Sequence, residues 1–156
     1  MDFELTDDQL ELQRTVRDVL DREAPASLAR DIAEGSGSAD ELWATLTSLD
    51  WPALCLPESV GGLGRGWVEL AVLLEEMGRH VAPGPFAATA AQFAPTVRHA
   101  GTPDQQERFL APVAAAGATG TLAVDEGVPQ AEVLGHVHQR RIDDGLAVRM
   151  VITRGI

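Results

Sequence analysis

The sequence is poor in the features that several classes of protein require. It contains one cysteine, Cys55, among 156 residues, so no internal disulfide can form and no cysteine-based zinc site is indicated. No apolar run approaches the roughly 20 residues that a membrane-spanning helix needs. The first residues are acidic, whereas a secretory signal begins with basic residues. We therefore expect a cytoplasmic protein with no membrane span.

Basic residues are scarce as well. Only 12 residues are basic, all of them arginine, against 24 acidic residues, which gives a formal net charge of -12. Charge of this sign repels nucleic acid and anionic lipid surfaces. We therefore expect no nucleic-acid partner, although a local group of arginines could still hold an anionic ligand.

Three motifs mark the starts of predicted helices. Each has Ser or Thr three residues before Glu or Gln, the spacing of a capping box, in which both side chains bond to backbone N–H groups of the first turn. They are Thr6–Gln9, Ser38–Glu41 and Thr102–Gln105. Apolar residues at helical spacing then predict helices over residues 7–24, 27–33, 39–49, from 67 onward, 86–99 and 103 to about 112.

The same spacing makes expectations for single residues. Leu49 is expected to face inward with Leu42 and Leu46, and Trp67 to begin the buried face of its helix. Gly101 is expected to end the helix over residues 86–99 in a left-handed conformation.

A glycine-dense loop runs from Gly61 to Gly66. It is not a dinucleotide fingerprint counted from Gly62, because Trp67 stands where the third glycine would be. It is not a P-loop either, because Trp67 and Val68 follow where Lys and then Ser or Thr are needed. Four glycines among six residues instead predict a backbone that takes positive φ angles or passes close to other atoms.

The pattern changes after Gly117. Residues 119–124 and 146–153 each predict a short strand, and the segment between them is polar and weakly patterned. Two short strands do not form an independently stable sheet. We therefore expect a mainly α fold, with a helical domain over residues 1–117 and a short, incomplete β-domain segment over residues 118–156.

From about Phe3 to Glu126 the sequence resembles the acyl-CoA dehydrogenase family. The resemblance rests on five segments that occur in the family's order: Phe3-x-Leu5-Thr6-x-x-Gln9, Leu56-Pro57-Glu58-x-x-Gly61-Gly62-Leu63-Gly64, Glu75-Glu76-Met77-Gly78, Ala100-Gly101-Thr102-Pro103-x-Gln105-x-x-Arg108-Phe109-Leu110 and Gly120-Thr121-Leu122-Ala123-Val124-Asp125-Glu126.

This resemblance implies an N-terminal helical-bundle domain, followed in the family by a central β domain and a C-terminal four-helix domain. It implies FAD as cofactor and an acyl-CoA thioester as substrate, which is oxidised to its 2,3-enoyl form. A carboxylate base removes the proton alpha to the thioester, and the flavin takes the beta hydrogen as hydride. An electron-transfer flavoprotein is the usual electron acceptor in the family.

The resemblance also implies cofactor-binding residues at the end of the first predicted strand: Leu122, Val124, Asp125 and Glu126. Asp125 stands where the family has threonine, and a carboxylate there would add negative charge beside a reduced flavin. Residues 127–132 differ from the family's usual Pro-Gly-Ala-Gly-Ser-Asp. The family's catalytic glutamate and adenosine-binding segments lie outside the stretch that aligns, so no catalytic residue is assigned in this chain.

Four other features have a plain structural interpretation beside a functional one. We expect Glu75 and Glu76 to be solvated helix surface and Cys55 to be an inert core thiol. His136 and His138 would share one face of a strand, but no third ligand is evident, so no metal site is expected. The region 86–93 could line an acyl pocket.

Three hypotheses about the whole protein remain open at this point. The first is a truncated or split acyl-CoA dehydrogenase that is inactive as an isolated chain. The second is a non-catalytic interaction subunit of a heteromeric acyl-CoA dehydrogenase, which binds a homologous subunit or self-associates. The third is a pseudogene or frameshift product.

Overall fold

A computed structural model describes residues 4–125, 137–141 and 147–154, with side chains through residue 122. The described part is mainly helical, as predicted, and ends in a small sheet. Its α-helices are α1 (Asp7–Glu23), α2 (Ala26–Ala33), α3 (Asp40–Ser48), α4 (Trp67–Arg79), α5 (Ala94–Ala100) and α6 (Pro103–Ala114). Short 3-10 helices lie at Trp51–Ala53 and Glu58–Val60, and a π-helical segment lies at Ala87–Phe93.

Two of the three predicted capping boxes are confirmed. Thr6 and Gln9 exchange both bonds at the start of α1, and Thr102 and Gln105 do the same at the start of α6. The prediction at Ser38 is wrong, because α3 begins one residue later with Ala39 at its N-cap position. The Ser38 hydroxyl instead accepts from the N–H of Asp40 at 3.1 Å, a local turn that competes with capping.

Predictions for individual residues near helix ends were less accurate. Leu49 lies just past the end of α3 and is 42% exposed, because the chain turns away at Asp50, where φ is 56°.

Gly101 has a φ of -80°, so it is not a left-handed cap. A Cβ atom there would crowd the carbonyl oxygen of Val97, so glycine is required by close approach. Helix α6 continues past Pro112 to Ala114, with Val113 buried in its last turn.

Two buried hydrophobic clusters form the core. The larger one joins α1, α3 and α4, and includes Leu20, Leu46, Leu73 and Phe86. The smaller one joins α5 and α6 to the two 3-10 helices. Because the π-helical segment contributes to both clusters, it connects the two halves of the helical region.

Glu76 corrects the expectation of a solvated carboxylate. Its side chain on α4 is fully buried, whereas Glu75 is exposed as expected. Arg17 of α1 donates to both oxygens of Glu76, from Nε at 3.0 Å and from Nη2 at 2.6 Å. Arg79 lies 3.4 Å from the same carboxylate. The hydrogen bond from Arg17 lowers the pKa of Glu76 in spite of its burial.

His80 extends this polar contact between α1 and α4. Its Nδ1 lies 2.7 Å from the carbonyl oxygen of Glu76, and its Nε2 lies 2.9 Å from Oδ1 of Asp21. Both neighbours are acceptors, and imidazole donates from both nitrogens only when it is protonated. The hydrogen bond to Asp21 is the main reason that the pKa of His80 is raised.

The sheet has the strand order β1-β3-β2, with β1 at Ala118–Asp125, β2 at Val137–Arg141 and β3 at Ala147–Arg154. Both pairings are antiparallel, and Gly120 lies opposite Ile152 in the register. The two predicted strands are therefore present and pair with each other, and β2 lies in the segment that had no clear pattern. Within the described ranges, none of the helices is long and apolar enough to cross a membrane.

Breaking the Arg17–Glu76 contact from its two ends is expected to have unequal effects. Arg17→Met leaves the Glu76 carboxylate buried with only the weaker contact to Arg79, whereas Glu76→Gln leaves a guanidinium that is 42% exposed and can be hydrated. We expect Arg17→Met to lower the midpoint of thermal unfolding by roughly 5 to 10 °C and Glu76→Gln to lower it less. Arg14→Met, at an exposed position of α1, is the matched control. Equal losses, or a larger loss for Glu76→Gln, would contradict the assignment.

The raised pKa of His80 makes stability depend on pH with a definite sign. A group whose folded pKa is above its unfolded value stabilises the fold below the unfolded pKa, which is about 6.5 for histidine. That contribution is lost as the pH rises through the folded pKa. We therefore expect the difference in unfolding free energy between the protein and its His80→Gln variant to shrink as the pH rises above about 6.5.

Urea titrations at a series of pH values measure this difference. Asp21→Asn removes the main cause of the shift and should flatten the same part of the curve. An NMR titration that places the pKa of His80 at or below the usual histidine value would show that the prediction is wrong.

Candidate functional site

The glycine-dense loop folds back on the chain that precedes it. Gly61 and Gly64 have φ angles of 86° and 62°, a region that glycine adopts without strain. A Cβ atom on Gly62 would overlap the carbonyl group of Leu56. The prediction of positive φ angles or close approach is therefore confirmed at three of the loop's glycines.

The backbone donors of this loop bond to nearby carbonyl groups of the protein. The N–H groups of Leu63, Gly64 and Arg65 donate to Ala53, Leu56 and Leu54 at 3.0, 2.9 and 2.8 Å. The N–H of Gly62 donates to Pro57 at 3.0 Å. A phosphate cradle needs such N–H groups pointing at the ligand. Residues 62–65 therefore serve as a folded structural loop, in agreement with the failed motif matches.

An apolar crevice lies beside the loop. Trp67, expected in the core, is 47% exposed and forms one wall, while Trp51, Leu70 and Ala94 belong to the lining. The guanidinium of Arg98 lies 5.8 Å from the centroid of the Trp67 ring, and its Nη1 donates to the carbonyl oxygen of Cys55 at 3.0 Å. The crevice has only about 10 Å³ of space for a water molecule, so it is a packing seam and not a ligand cavity.

Cys55 is buried beside this crevice, as expected of a core thiol. Its Sγ donates to the carbonyl oxygen of Gly66 at 3.0 Å, and burial raises the pKa of the thiol. A raised pKa disfavours the thiolate, which is the reactive form. The inert interpretation of Cys55 is therefore supported by its surroundings.

The junction between the π-helical segment and β1 is the most tightly constrained place near the predicted cofactor residues. Thr89 is fully buried, and its hydroxyl both donates to the carbonyl oxygen of Gly120 and accepts from the N–H of Gly120, each at 3.2 Å. Phe93 lies one turn further along, and a Cβ atom on Gly120 would overlap its ring. Only glycine fits at this point of the strand.

These two bonds define the orientation of β1. In an antiparallel pair, the N–H and C=O of one residue point together either toward the partner strand or away from it, and successive residues alternate. Both polar groups of Gly120 are bonded to Thr89, so they point away from β3. By alternation, the N–H and C=O groups of Leu122 and Val124 point to the same outer edge of β1.

The predicted cofactor residues have the following places. Leu122 lies on β1 opposite Met150 and is partly buried, Val124 lies opposite Val148, and Asp125 ends the strand opposite Ala147. Glu126 lies outside the described residues, so its predicted role is not tested. Of the two histidines, His136 also lies outside them and His138 lies on β2. The part of the chain with described side chains holds no cluster of His, Cys, Asp or Glu that could bind a metal ion.

The family model of the acyl-CoA dehydrogenase N-terminal domain matches residues 6–117. The chain belongs to the acyl-CoA dehydrogenase family. It is 34% identical over 126 residues to the acyl-CoA dehydrogenase FadE28 of Mycobacterium tuberculosis, an alignment that covers 81% of this chain and 32% of that protein. The chain thus spans about a third of the length of this relative.

Solved structures of similar proteins also match about three quarters of this chain. One chain of the ChsE4-ChsE5 complex from Mycobacterium tuberculosis matches with a TM-score of 0.61 and 27% identity, over 74% of this chain and 30% of that chain. Butyryl-CoA dehydrogenase from Megasphaera elsdenii matches with a TM-score of 0.61 and 25% identity, over 74% of this chain and 31% of that chain. The predicted fold class, a helical domain of this family, is confirmed.

The sequence interpretation did not single out Thr89 or Phe93 as partners of Gly120. Two signals were available: a glycine inside a predicted strand often marks a close approach of another group, and a threonine within an apolar helix needs a partner for its hydroxyl. Neither signal identifies the partner, because Thr89 and Gly120 are 31 positions apart in the sequence.

Replacement of Gly120 tests this junction directly. We expect Gly120→Ala to destabilise the protein by roughly 1 to 3 kcal/mol, because the added methyl group overlaps a fully buried ring. Gly117→Ala is the matched control, since a Cβ there would lie 3.6 Å from the carbonyl oxygen of Pro112, an ordinary contact. Urea unfolding of both variants measures the difference. A Gly120→Ala cost that does not fall in a Phe93→Leu background would argue against the contact.

Proposed function

We propose that this protein supplies the helical wall and the first cofactor-facing strand of an acyl-CoA dehydrogenase centre that carries out FAD-dependent alpha,beta-desaturation of an acyl-CoA thioester. The proposal rests on family membership together with one observation. Thr89 and Phe93 attach β1 to the helical region at Gly120, two residues before the first predicted cofactor residue. The same elements that form the helical core therefore fix the start of the strand.

The residues of β1 fit a flavin in their chemistry. The polar edge of a flavin ring carries both hydrogen-bond donors and acceptors, and the outer edge of β1 presents backbone N–H and C=O groups at Leu122 and Val124. These two residues would hold the ring, with Asp125 and Glu126 next to it. When bound, FAD supplies the acceptor for the hydride that leaves the beta carbon of the substrate. Asp125, where the family has threonine, would disfavour a reduced and negatively charged flavin nearby.

We place the acyl chain of the substrate against the π-helical segment. Most of its residues are alanine, and Ala88 and Ala91 are only partly buried, so they offer apolar surface with little bulk. A π-helical turn within an α-helix frequently occurs at functional sites. In this arrangement the chain binds and orients the substrate and excludes water, while no residue of the aligned stretch acts as the catalytic base.

Because the chain spans about a third of the length of FadE28, we propose that desaturation requires the remaining parts of the family fold, from further sequence or from a second subunit. We also propose that residues 1–117 and 118–156 correspond to the helical domain and the start of the β domain. An electron-transfer flavoprotein would take the electrons from the assembled enzyme. Under this proposal the isolated 156-residue chain is inactive.

A second function, that of a non-catalytic subunit bound to a homologous acyl-CoA dehydrogenase, is favoured by two observations. One of the similar structures is a chain of a complex, ChsE4-ChsE5. In addition, Leu63, Trp67 and Val68 are large apolar side chains that are 43%, 47% and 49% exposed, and they lie near one another in the sequence around the start of α4. We call these three residues the α4 entry patch. An exposed apolar group of this kind is typical of an interaction surface.

The flavin content of the isolated protein tests the proposal that this chain is inactive without the remaining parts of the family fold. We expect the purified 156-residue chain to contain far less than one flavin per chain, because a single strand edge gives too few contacts to retain FAD through purification. The flavin absorption spectrum and the protein concentration of the same sample measure the ratio. Stoichiometric FAD, or desaturation of an acyl-CoA by the isolated chain with an artificial electron acceptor, would overturn the proposed division of labour.

Co-expression with a tagged homologous acyl-CoA dehydrogenase then tests the two partner roles. Flavin and desaturase activity that depend on both chains support the first function, and co-purification without a change in activity supports the second. Trp67→Ser and Val68→Ser should reduce co-purification if the α4 entry patch is the interface. Val81→Ser is the matched control, because Val81 is 67% exposed and lies beyond the other end of α4. Failure to co-purify would count against both partner roles.

A further inference from the structure

We propose that Thr89 is a positioning residue, whose hydroxyl fixes β1 on the helical domain and so sets where the outer edge of the strand lies at Leu122. The inference rests on the proposed function for its consequence, because that edge is the proposed flavin contact. The contact that places β1 involves only Thr89 and Gly120, so it can be measured without any cofactor.

The hydroxyl of Thr89 occupies both polar groups of one strand residue. It lies 3.2 Å from the nitrogen and 3.2 Å from the carbonyl oxygen of Gly120, in a fully buried place. A hydroxyl can donate one hydrogen bond and accept others, so a single side chain satisfies both groups. Without it, two backbone groups would be buried without partners, which costs far more than a solvated pair.

Thr89 is itself held rigidly. Its N–H donates to the carbonyl oxygen of Pro85 at 2.9 Å, and its carbonyl oxygen accepts from the N–H of Ala94, five residues further along. A β-branched side chain in a helix has few χ1 rotamers, and the threonine hydroxyl selects among them by its bonds. The hydroxyl therefore points in a fixed direction from a fixed backbone.

The hydroxyl also occupies the outer edge of the strand at one position. Gly120 presents its polar groups away from β3, so a neighbouring strand added along that edge would meet Thr89 in place of a backbone partner. Two residues further on, Leu122 presents its N–H and C=O to the same side. Thr89 thus occupies this edge at Gly120, two residues before the first residue predicted to contact the cofactor.

Amide hydrogen exchange followed by NMR tests the inference in the full chain. In the unaltered protein, the N–H of Gly120 should be protected to a degree similar to the amides of β1 that bond to β3. In Thr89→Val, which keeps the shape and removes the hydroxyl, exchange at Gly120 should become roughly 10- to 100-fold faster relative to amides in the core of α1. Thr89→Ser restores the hydroxyl and should restore protection.

Thr96→Val is the matched control, because the hydroxyl of Thr96 bonds to the carbonyl oxygen of Gln92 within its own helical stretch at 2.8 Å. It should leave Gly120 unchanged. Rapid exchange at Gly120 in the unaltered protein overturns the inference without any variant. Equal acceleration at all amides in Thr89→Val, or no rescue by serine, also overturns it.

The result is separable from the test of function. If Gly120 shows the expected protection and rescue but no assembly of the chain binds FAD, the positioning role stands and the proposed function fails. If FAD binds and Thr89→Val changes neither the flavin spectrum nor the exchange of Gly120, the function stands and the positioning role fails.

Discussion

The contact between Phe93 and Gly120 is the constraint on which the architecture around β1 depends. Phe93 is fully buried in the smaller core cluster, so its ring cannot move without disturbing α5 and α6. The strand can pass only where it has no side chain, and Thr89 then bonds to both polar groups of the same residue. The position of β1 is therefore determined by the helical core as much as by its pairing with β3.

A second constraint acts between α1 and α4. Arg17 and Glu76 join α1 to α4 through a fully buried carboxylate, and His80 and Asp21 extend the contact toward solvent. Buried ion pairs are weak evidence for net stability, because desolvation offsets the attraction. Such a pair favours one arrangement over others, because an incorrect register of α1 against α4 would leave the buried Glu76 carboxylate with only the weaker contact to Arg79 of its own helix. The large apolar cluster supplies the stability, and the polar contact selects the arrangement.

The sequence predicted several local features correctly, although not the two ends of α3 or the cap at Gly101, and it did not predict the distant pairings. The boxes at Thr6 and Thr102 and the glycine loop were correct, because each depends on residues a few positions apart. Glu76 was mistaken for solvated surface, since its partner Arg17 is 59 positions away and nothing in the helix of Glu76 indicates it. Periodicity alone predicts Trp67 in the core, but Trp67 is the first residue of α4 and is 47% exposed.

The same distinction separates what the family resemblance could and could not contribute to the site. It predicted the strand, which is confirmed, because the motif is contiguous in sequence. The assignment of Leu122 and Val124 to the cofactor stays a prediction. It gave no role to Thr89, which acts on the strand across 31 positions. A helical domain that only shielded the substrate could be joined to its β domain by a flexible linker. Here the junction is a buried, doubly hydrogen-bonded contact with no room for a methyl group, so a movement of the π-helical segment would carry the edge of β1 with it.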